Sequence, residues 1–414
     1  MHDDWGIVSG IVFVLVFLPA TLSAQMIQGI PRSPIAPTVH SGDRVPEDVY
    51  IMPWIAAGVV YDDNVFFARQ GRRQDDVFLR VTPGLQVSYQ SAPFTIVGNY
   101  RFDSEVYSKL DQLNTAQQRQ FGTVETRWRP STSWTVGNTI GYAQTNTPFE
   151  LNLLTSAQTA RFRAERYFVD PTVEYRLDPL TKLIGEYAYA KDMFGDVETD
   201  SHIINVRAER RIGPHDTLGP AYVGRYFTFS VDPNGSSLGF PGDPSSFQSH
   251  AMQVSWGHDF PAETRLDVRA GPRIQNGRLD NRPEAFLGLR RRIPRGEVGL
   301  SYISSVTTII GSVVATHTDS LTISASYEPV QYLTVTVLPA VTWIKNSSFA
   351  STIYTGYIEA AYQFNKYVTA KGSVYVSYQE GNFLPTGGGT ADNIIIARNL
   401  YWLRLEFAYP SRWE

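Results

Sequence analysis

The sequence predicts an all-β fold: a transmembrane antiparallel up-and-down β-barrel of about 18 strands, with about 16 as the alternative count. Three observations carry the prediction. Apolar and polar residues alternate with period two over residues 50–409. The connections between these runs are short and long by turns. Aromatic residues bracket the short connections.

The elements follow in order along the 414 residues. Residues 7–18 (IVSGIVFVLVFL) are an apolar run, shorter than the roughly 20 residues a helix needs to cross a bilayer. Pro19 ends the run, and ATLSA at 20–24 offers a small-residue cleavage site before Gln25. Residues 1–24 therefore read as a secretory signal peptide, although MHDDWG at its start lacks Lys and Arg. Residues 25–49 hold Pro31, Pro34, Pro37 and Pro46 without periodicity and read as an extended periplasmic linker. The barrel is expected over 50–414. The next most apolar stretch, ISSVTTIIGSVVA at 303–315, is too short and too polar for a transmembrane helix.

The hairpin at 77–107 shows the pattern best. Val77, Leu79, Val81, Pro83, Leu85, Val87 and Tyr89 alternate with Arg80, Thr82, Gln86 and Ser88. After a break at Ser91-Ala92, Phe94, Ile96, Tyr100 and Phe102 oppose Asn99, Arg101, Asp103 and Glu105. Farther on, Ile204, Val206 and Ala208 oppose Arg207 and Glu209. Leu266, Val268, Ala270 and Ile274 oppose Arg265, Asp267, Arg269 and Arg273. Leu403, Leu405 and Phe407 oppose Arg404 and Glu406. No helical period appears past the signal.

Tight turns are expected at Ser91-Ala92, Pro130-Ser131, Asp178-Pro179, Gly213-Pro214, Pro261-Ala262, Pro294-Arg295, Pro329-Val330 and Asn365-Lys366. Longer connections are expected near 62–74, 108–116, 146–159, 194–199, 231–246, 276–282, 308–315, 346–351 and 380–393. A soluble sandwich would turn its apolar faces inward. Here the runs are about 12–16 residues, long enough for tilted strands that cross a bilayer. Tyr89/Phe94, Trp128/Trp134, Tyr327/Tyr332 and Phe364/Tyr367 suit an interfacial girdle. The oily face is then expected to meet lipid and the charged face a lumen. An open sheet edge in hydrocarbon leaves backbone groups unpaired, so the sheet must close. Pro83, Pro171, Pro272 and Pro339 fall inside the runs, where bulges or bends are expected.

Composition narrows the function. Charged residues are 18%, against roughly 25% in soluble domains. A net charge of −4 offers no basic field for nucleic acid. With no cysteine, disulfides, thiol nucleophiles and a lipoprotein anchor are ruled out.

Tyr61-Asp62-Asp63-Asn64-Val65-Phe66 ends the first run, and Asp76 and Val81-Thr82-Pro83-Gly84-Leu85 lie in the second. With the signal and the hairpin array, these motifs resemble the β-barrel porin 2 family of bacterial outer-membrane proteins. The resemblance implies an outer-membrane barrel of poorly defined activity. Relatives often accompany exopolysaccharide systems, which implies exopolysaccharide as a further candidate partner.

The candidate lumen residues for solute contact are Arg80, Arg101, Asp103, Glu105, Arg127, Arg207, Glu209, Arg265, Asp267, Arg269, Arg273, Arg404 and Glu406. Such charges guide hydrophilic or anionic solutes, or they pair with one another and stiffen the wall. Arg265, Arg269 and Arg273 form the most concentrated basic strip. Asp62-Asp63-Asn64 has oxygen donors of the kind calcium uses, but such donors equally suit a strand end and turn. Asp200-Ser201-His202 has acyl-transfer residue types on successive strand positions, which point to opposite faces. The expected function is a non-enzymatic channel, without cofactor or metal, passing small hydrophilic solutes passively. The alternatives are an exopolysaccharide export or assembly barrel, and a structural barrel or outer-membrane hydrolase. Expected partners are outer-membrane lipid and lipopolysaccharide, the outer-membrane assembly machinery, and a second copy of the chain.

Overall fold

A computed structural model describes residues 49–413, except 153, 159–160, 232–245, 277–278, 280, 347–348 and 383–393. The signal peptide and nearly all of the linker expected from the sequence lie outside the described residues.

The described chain is a closed antiparallel barrel of 18 strands, as the alternation predicts. In order they are β1 Val49–Asp62, β2 Asp76–Gln90, β3 Phe94–Tyr107, β4 Thr115–Trp128, β5 Trp134–Thr145 and β6 Ala164–Arg176. Next come β7 Thr181–Phe194, β8 Val197–Arg211, β9 Asp216–Val231 and β10 Phe247–Phe260. β11 has two segments, Thr264–Gly271 and Arg273–Gln275. It is followed by β12 Glu284–Ile293, β13 Gly296–Thr307, β14 Thr316–Val330 and β15 Leu333–Lys345. The last three are β16 Ala350–Asn365, β17 Val368–Gly381 and β18, which has two segments, Ile394–Ala408 and Ser411–Trp413. Each strand pairs with its sequence neighbours. β1 closes the ring on β18, from Trp54 opposite Ala408 to Asp62 opposite Leu400. The final segment pairs with the start of β1, which takes up Val49, the last residue assigned to the linker.

Alternation decides which face is which. Outward side chains such as Ile358, Val254 and Leu403 are 50%, 61% and 68% exposed. Inward ones such as Arg101, Asp103 and Glu105 are nearly fully buried. Aromatic pairs bound the apolar exterior at two heights. On β5 and β6, Trp134 stacks near Tyr175 at 4.5 Å and Tyr142 near Tyr167 at 4.8 Å, with Val136, Ile140, Val169 and Val173 between. Eight residues separate the two levels, about 20 Å along the barrel axis at a rise of ~3.3 Å and a tilt of ~40°.

Prolines depart from the expectation in an informative way. Pro272 does break β11. Pro83, Pro171 and Pro339 keep register on both sides, with the ladder skipped on one side only. A proline lacks one N–H, so it forfeits one bond without displacing the chain. At Pro171 the β5 side keeps its pairing with Asn138, and the skipped rungs lie on the β7 side, between Val169 opposite Tyr189 and Thr172 opposite Glu186. The register shifts fall elsewhere, at Asp103/Glu105, Tyr327/Val330 and Gln363/Asn365.

Turn chemistry accounts for most tight ends. Asp178 Oδ1 accepts from Leu180 N at 2.7 Å and Thr181 N at 2.9 Å. Those donors, Leu180 foremost, hold the Asp178 carboxyl below its usual range. Three connections differ from expectation. The turn expected at Pro329-Val330 lies at Gln331–Tyr332, because β14 runs through the proline on its outward face. The turn expected at Asn365-Lys366 lies at Lys366–Tyr367, since Asn365 caps it by accepting from Tyr367 N and Val368 N. The connection near 194–199 is not long: β7 and β8 meet across Gly195-Asp196, with Gly195 at φ +57. Tyr189–Asp200 and Lys191–Glu198 bonds carry that hairpin beyond the apolar band. β12, at ten residues, is shorter than expected. Two single-turn 3-10 helices, Asp111–Leu113 and Pro148–Glu150, interrupt the otherwise β chain.

Candidate functional site: an occluded charged bore

Inward side chains are exposed at the tight-turn end and sealed at the other. The side chains of Arg265, Asp267 and Arg290 are 40–42% exposed, whereas those of Arg225, Arg119 and Arg398 are 0–4%. The barrel thus has an open vestibule at its tight-turn end and a closed far end.

Three connections make the closure. The first is the β5–β6 connection, which crosses the bore. Pro148 starts its 3-10 turn, and Glu150 then accepts from Arg119 at 2.6 and 2.7 Å and from Thr145 Oγ1 at 2.9 Å. Phe149 meets Phe67 and Tyr375, and the Arg398 guanidinium lies 4.8 Å from its ring. Leu151 packs with Phe121, Ala143, Phe194 and Ile310. Ala157 reaches Ile344 and Ile353 on β15 and β16, and Gln158 N donates to Gln379 Oε1 on β17 at 2.8 Å. One segment therefore touches both the β3–β4 wall and the β15–β17 wall.

The second connection is the apolar stretch at 308–315. Ile309 and Ile310 are 0% and 1% exposed, and Ile310 N donates to Asn152 Oδ1 at 2.9 Å. Val313 and Ala315 join Phe227, Phe247 and Ala251 in an apolar cluster. Gly311 has φ +86, and a Cβ there would sit 2.9 Å from the Phe194 ring, so glycine is required on both counts.

The third connection contains the Tyr61–Phe66 motif and locks the seam. Asp62 accepts from Arg398 at 2.7 Å across β1 and β18. Asp63 accepts from Asn399 N and Nδ2 at 2.7 and 2.6 Å. Asn64 donates to Ala397 O and exchanges two bonds with Ala68. Asp76 gathers the Leu110 amide and the Ser108 hydroxyl. The acidic motif residues are engaged by these donors, which is the strand-end role.

The charged wall divides into pairs and exceptions. Glu105 takes Arg80 at 2.6 Å, Arg119, and Arg161 at 3.6 Å. Asp103 takes Thr82 Oγ1 at 2.7 Å and Arg119 at 3.5 Å. Arg404 pairs with Glu359 at 3.3 Å and Lys371 with Glu406 at 2.9 Å. Arg207 lies 2.8 Å from Glu209 and 3.5 Å from Glu186. Arg265 pairs with Asp267 at 2.9 Å. Arg127 faces inward near the tight-turn end, half-buried. Arg101 lies over Phe121 at 4.4 Å with a buried Nη1 that has no partner. Arg269 lies over Phe286 at 5.0 Å. Arg273 donates to His317 Nδ1 at 2.8 Å and sits 3.9 Å from Glu284.

Residues that the sequence does not single out complete the network: Arg119, Glu150, Arg398, Arg225 and Glu284. A usable signal existed for the inward loops. PFELNLL at 148–154 and TTIIGSVV at 307–314 are apolar runs in connections where water contact favours polar residues. Asp200, Ser201 and His202 do not converge: Ser201 points into the bore, while Asp200 and His202 bond outward-facing Tyr189 and Tyr187.

No family model and no curated protein matches the chain. The β-barrel porin 2 assignment therefore remains a likeness of short motifs. Solved barrels resemble the chain loosely. A ferric enterobactin receptor variant from Pseudomonas aeruginosa has a TM-score of 0.46 at 8% identity, covering 87% of this chain and 80% of that one. Pseudomonas aeruginosa OpdQ gives 0.43 at 9%, covering 87% and 98%. Acinetobacter baumannii OccAB4 gives 0.43 at 8%, covering 88% and 98%. The barrel assignment rests on the chain's own strand pairing.

Proposed function

We propose that the chain is an outer-membrane barrel channel for small hydrophilic solutes, with its tight turns in the periplasm and a closed outer mouth. The observation that carries this reading is a closed sheet with an apolar exterior between two aromatic levels and a charged interior. Unpaired strand edges are not tolerated in hydrocarbon, and closure removes them. Passage is passive: the wall offers paired charges, and no part of the mechanism requires covalent chemistry. Lipid and lipopolysaccharide cover the exterior.

Purified chain in planar bilayers is expected to give rare, low-conductance openings with weak ion selectivity. Complete electrical silence in both the native chain and a loop-deleted chain would sink the reading. The lipid-facing orientation has its own test. Ile358 lies outward between Tyr354 and Tyr362. Ile358→Arg is expected to cost about 2–4 kcal/mol of folding into vesicles, as for a cation at the bilayer midplane. Thr336→Arg, on the inward face, is expected to change far less. Urea titration of vesicle-folded protein reads both, and equal costs would refute the assignment of faces.

A further inference from the structure

We infer that Arg269 and the crevice around it form a subsite for the carboxylate of an organic solute. The inference rests on the channel reading for the ligand's route to the site, not for the binding itself. Among the described residues, Arg269 has no ion pair or hydrogen bond, although it is only 9% exposed. Its neighbours along β11 differ. Arg265 is held by Asp267, and Arg273 by His317. Glu186, Asp267 and Glu209 act on Arg269 only from beyond ion-pair distance. A desolvated guanidinium in no direct pair is costly, so a ligand anion supplies the contact the wall withholds.

Geometry selects the kind of anion. Phe286 covers one face of the guanidinium at 5.0 Å. Recognition is left to the planar edge, whose parallel N–H groups match a carboxylate in a bidentate pair. The crevice also presents Asn205, Gln253 and Ser305, and the Ser305 hydroxyl is buried without a partner. Glu284 lines it too, but Arg225 holds that carboxylate through bonds of 2.6 and 2.7 Å, and Arg273 lies 3.9 Å away. Two guanidiniums against one carboxylate leave the Glu284 side of the crevice cationic, while Glu186, Glu209 and Asp267 on the other side are already engaged by Arg207 and Arg265. Val223, Phe286 and Ile303 supply apolar lining. That lining favours an organic acid over inorganic phosphate, which would leave these surfaces in contact with a strongly hydrated ion.

Calorimetric titration of the full chain in detergent tests the site without requiring current. Sodium benzoate is expected to bind saturably, while neutral benzamide and inorganic phosphate are not. Arg269→Gln is expected to weaken benzoate by about tenfold or more, since one charged hydrogen-bonded pair is lost. Lys109→Ala, which removes an exposed ammonium paired with Asp75 and outside the crevice, is expected to bind as the native chain does. Arg269→Lys keeps the charge without the fork. It should fold normally by heat-modifiable gel migration and bind benzoate weakly. Phosphate binding as tight as benzoate, or benzoate binding unchanged in Arg269→Gln, overturns the carboxylate subsite. A chain that conducts but ignores benzoate loses the subsite alone. One that binds benzoate but never conducts keeps the subsite and loses the channel.

Discussion

Replacing residues 149–158 with a Gly/Ser linker of equal length is expected to raise single-channel conductance several-fold while the barrel stays folded. The segment fills the bore with Phe149, Leu151 and Ala157, all packed against wall residues. A Gly/Ser chain has no side chains to make those contacts and stays flexible. Losing Glu150 does not strand its main partner. Arg119 still faces Glu105 at 2.5 Å and Asp103 at 3.5 Å. The wall hairpins keep every ladder bond, so the effect falls on the mouth and not on the barrel. A milder variant, Glu150→Gln, breaks the charge-assisted tether only and is expected to raise opening frequency with unit conductance unchanged. Planar-bilayer recordings separate the two outcomes. If the linker variant conducts no better than the native chain, this segment is not the barrier.

Asp62→Ala is expected to destabilise the folded barrel by about 3–5 kcal/mol, the range for breaking a buried ion pair from one side. Arg398 has a 4% exposed side chain and makes its closest charge contact with Asp62. Its guanidinium also lies 4.3 Å from the Phe67 ring and 4.8 Å from Phe149, neighbours that offer no carboxylate in place of the lost one. Asp62 is also the cap for Asn64 N at 3.0 Å, so the turn that follows β1 loosens with it. The pair joins the first and last strands, so the loss falls on the seam that closes the ring. Asp62→Asn keeps hydrogen bonding without the charge and should fall between the two. Lys109→Ala removes an exposed pair with Asp75 and should leave the urea midpoint unmoved. Equal midpoints for Asp62→Ala and the native chain would show that the seam holds without this lock.

The wall itself was legible because a strand writes its two environments into alternate residues. Leu79 and Arg80 need no tertiary information to be placed on opposite faces. Tight turns were legible where Asp, Asn, Gly or Pro is needed for local bonding, as at Asp178. They slipped by one or two residues where a strand ran past its proline or polar cap, as at Gln331–Tyr332. The hairpin end at Gly195-Asp196 was misread because polar residues beyond the apolar band look like loop, though they can pair as strand.

What the sequence determined by itself is the strand period, the orientation of each face and, through the count of alternating runs, the closed ring. These follow from interactions between residues one or two positions apart and from the demand that hydrocarbon places on every strand edge. Only the tertiary structure decided that the bore is shut, that Glu150 meets Arg119 and Asp62 meets Arg398, and that Arg269 alone of its strip keeps an unclaimed edge. Asp62 and Arg398 are 336 residues apart in the chain. No local periodicity records such pairings, because they are set by which walls the closed ring places opposite each other.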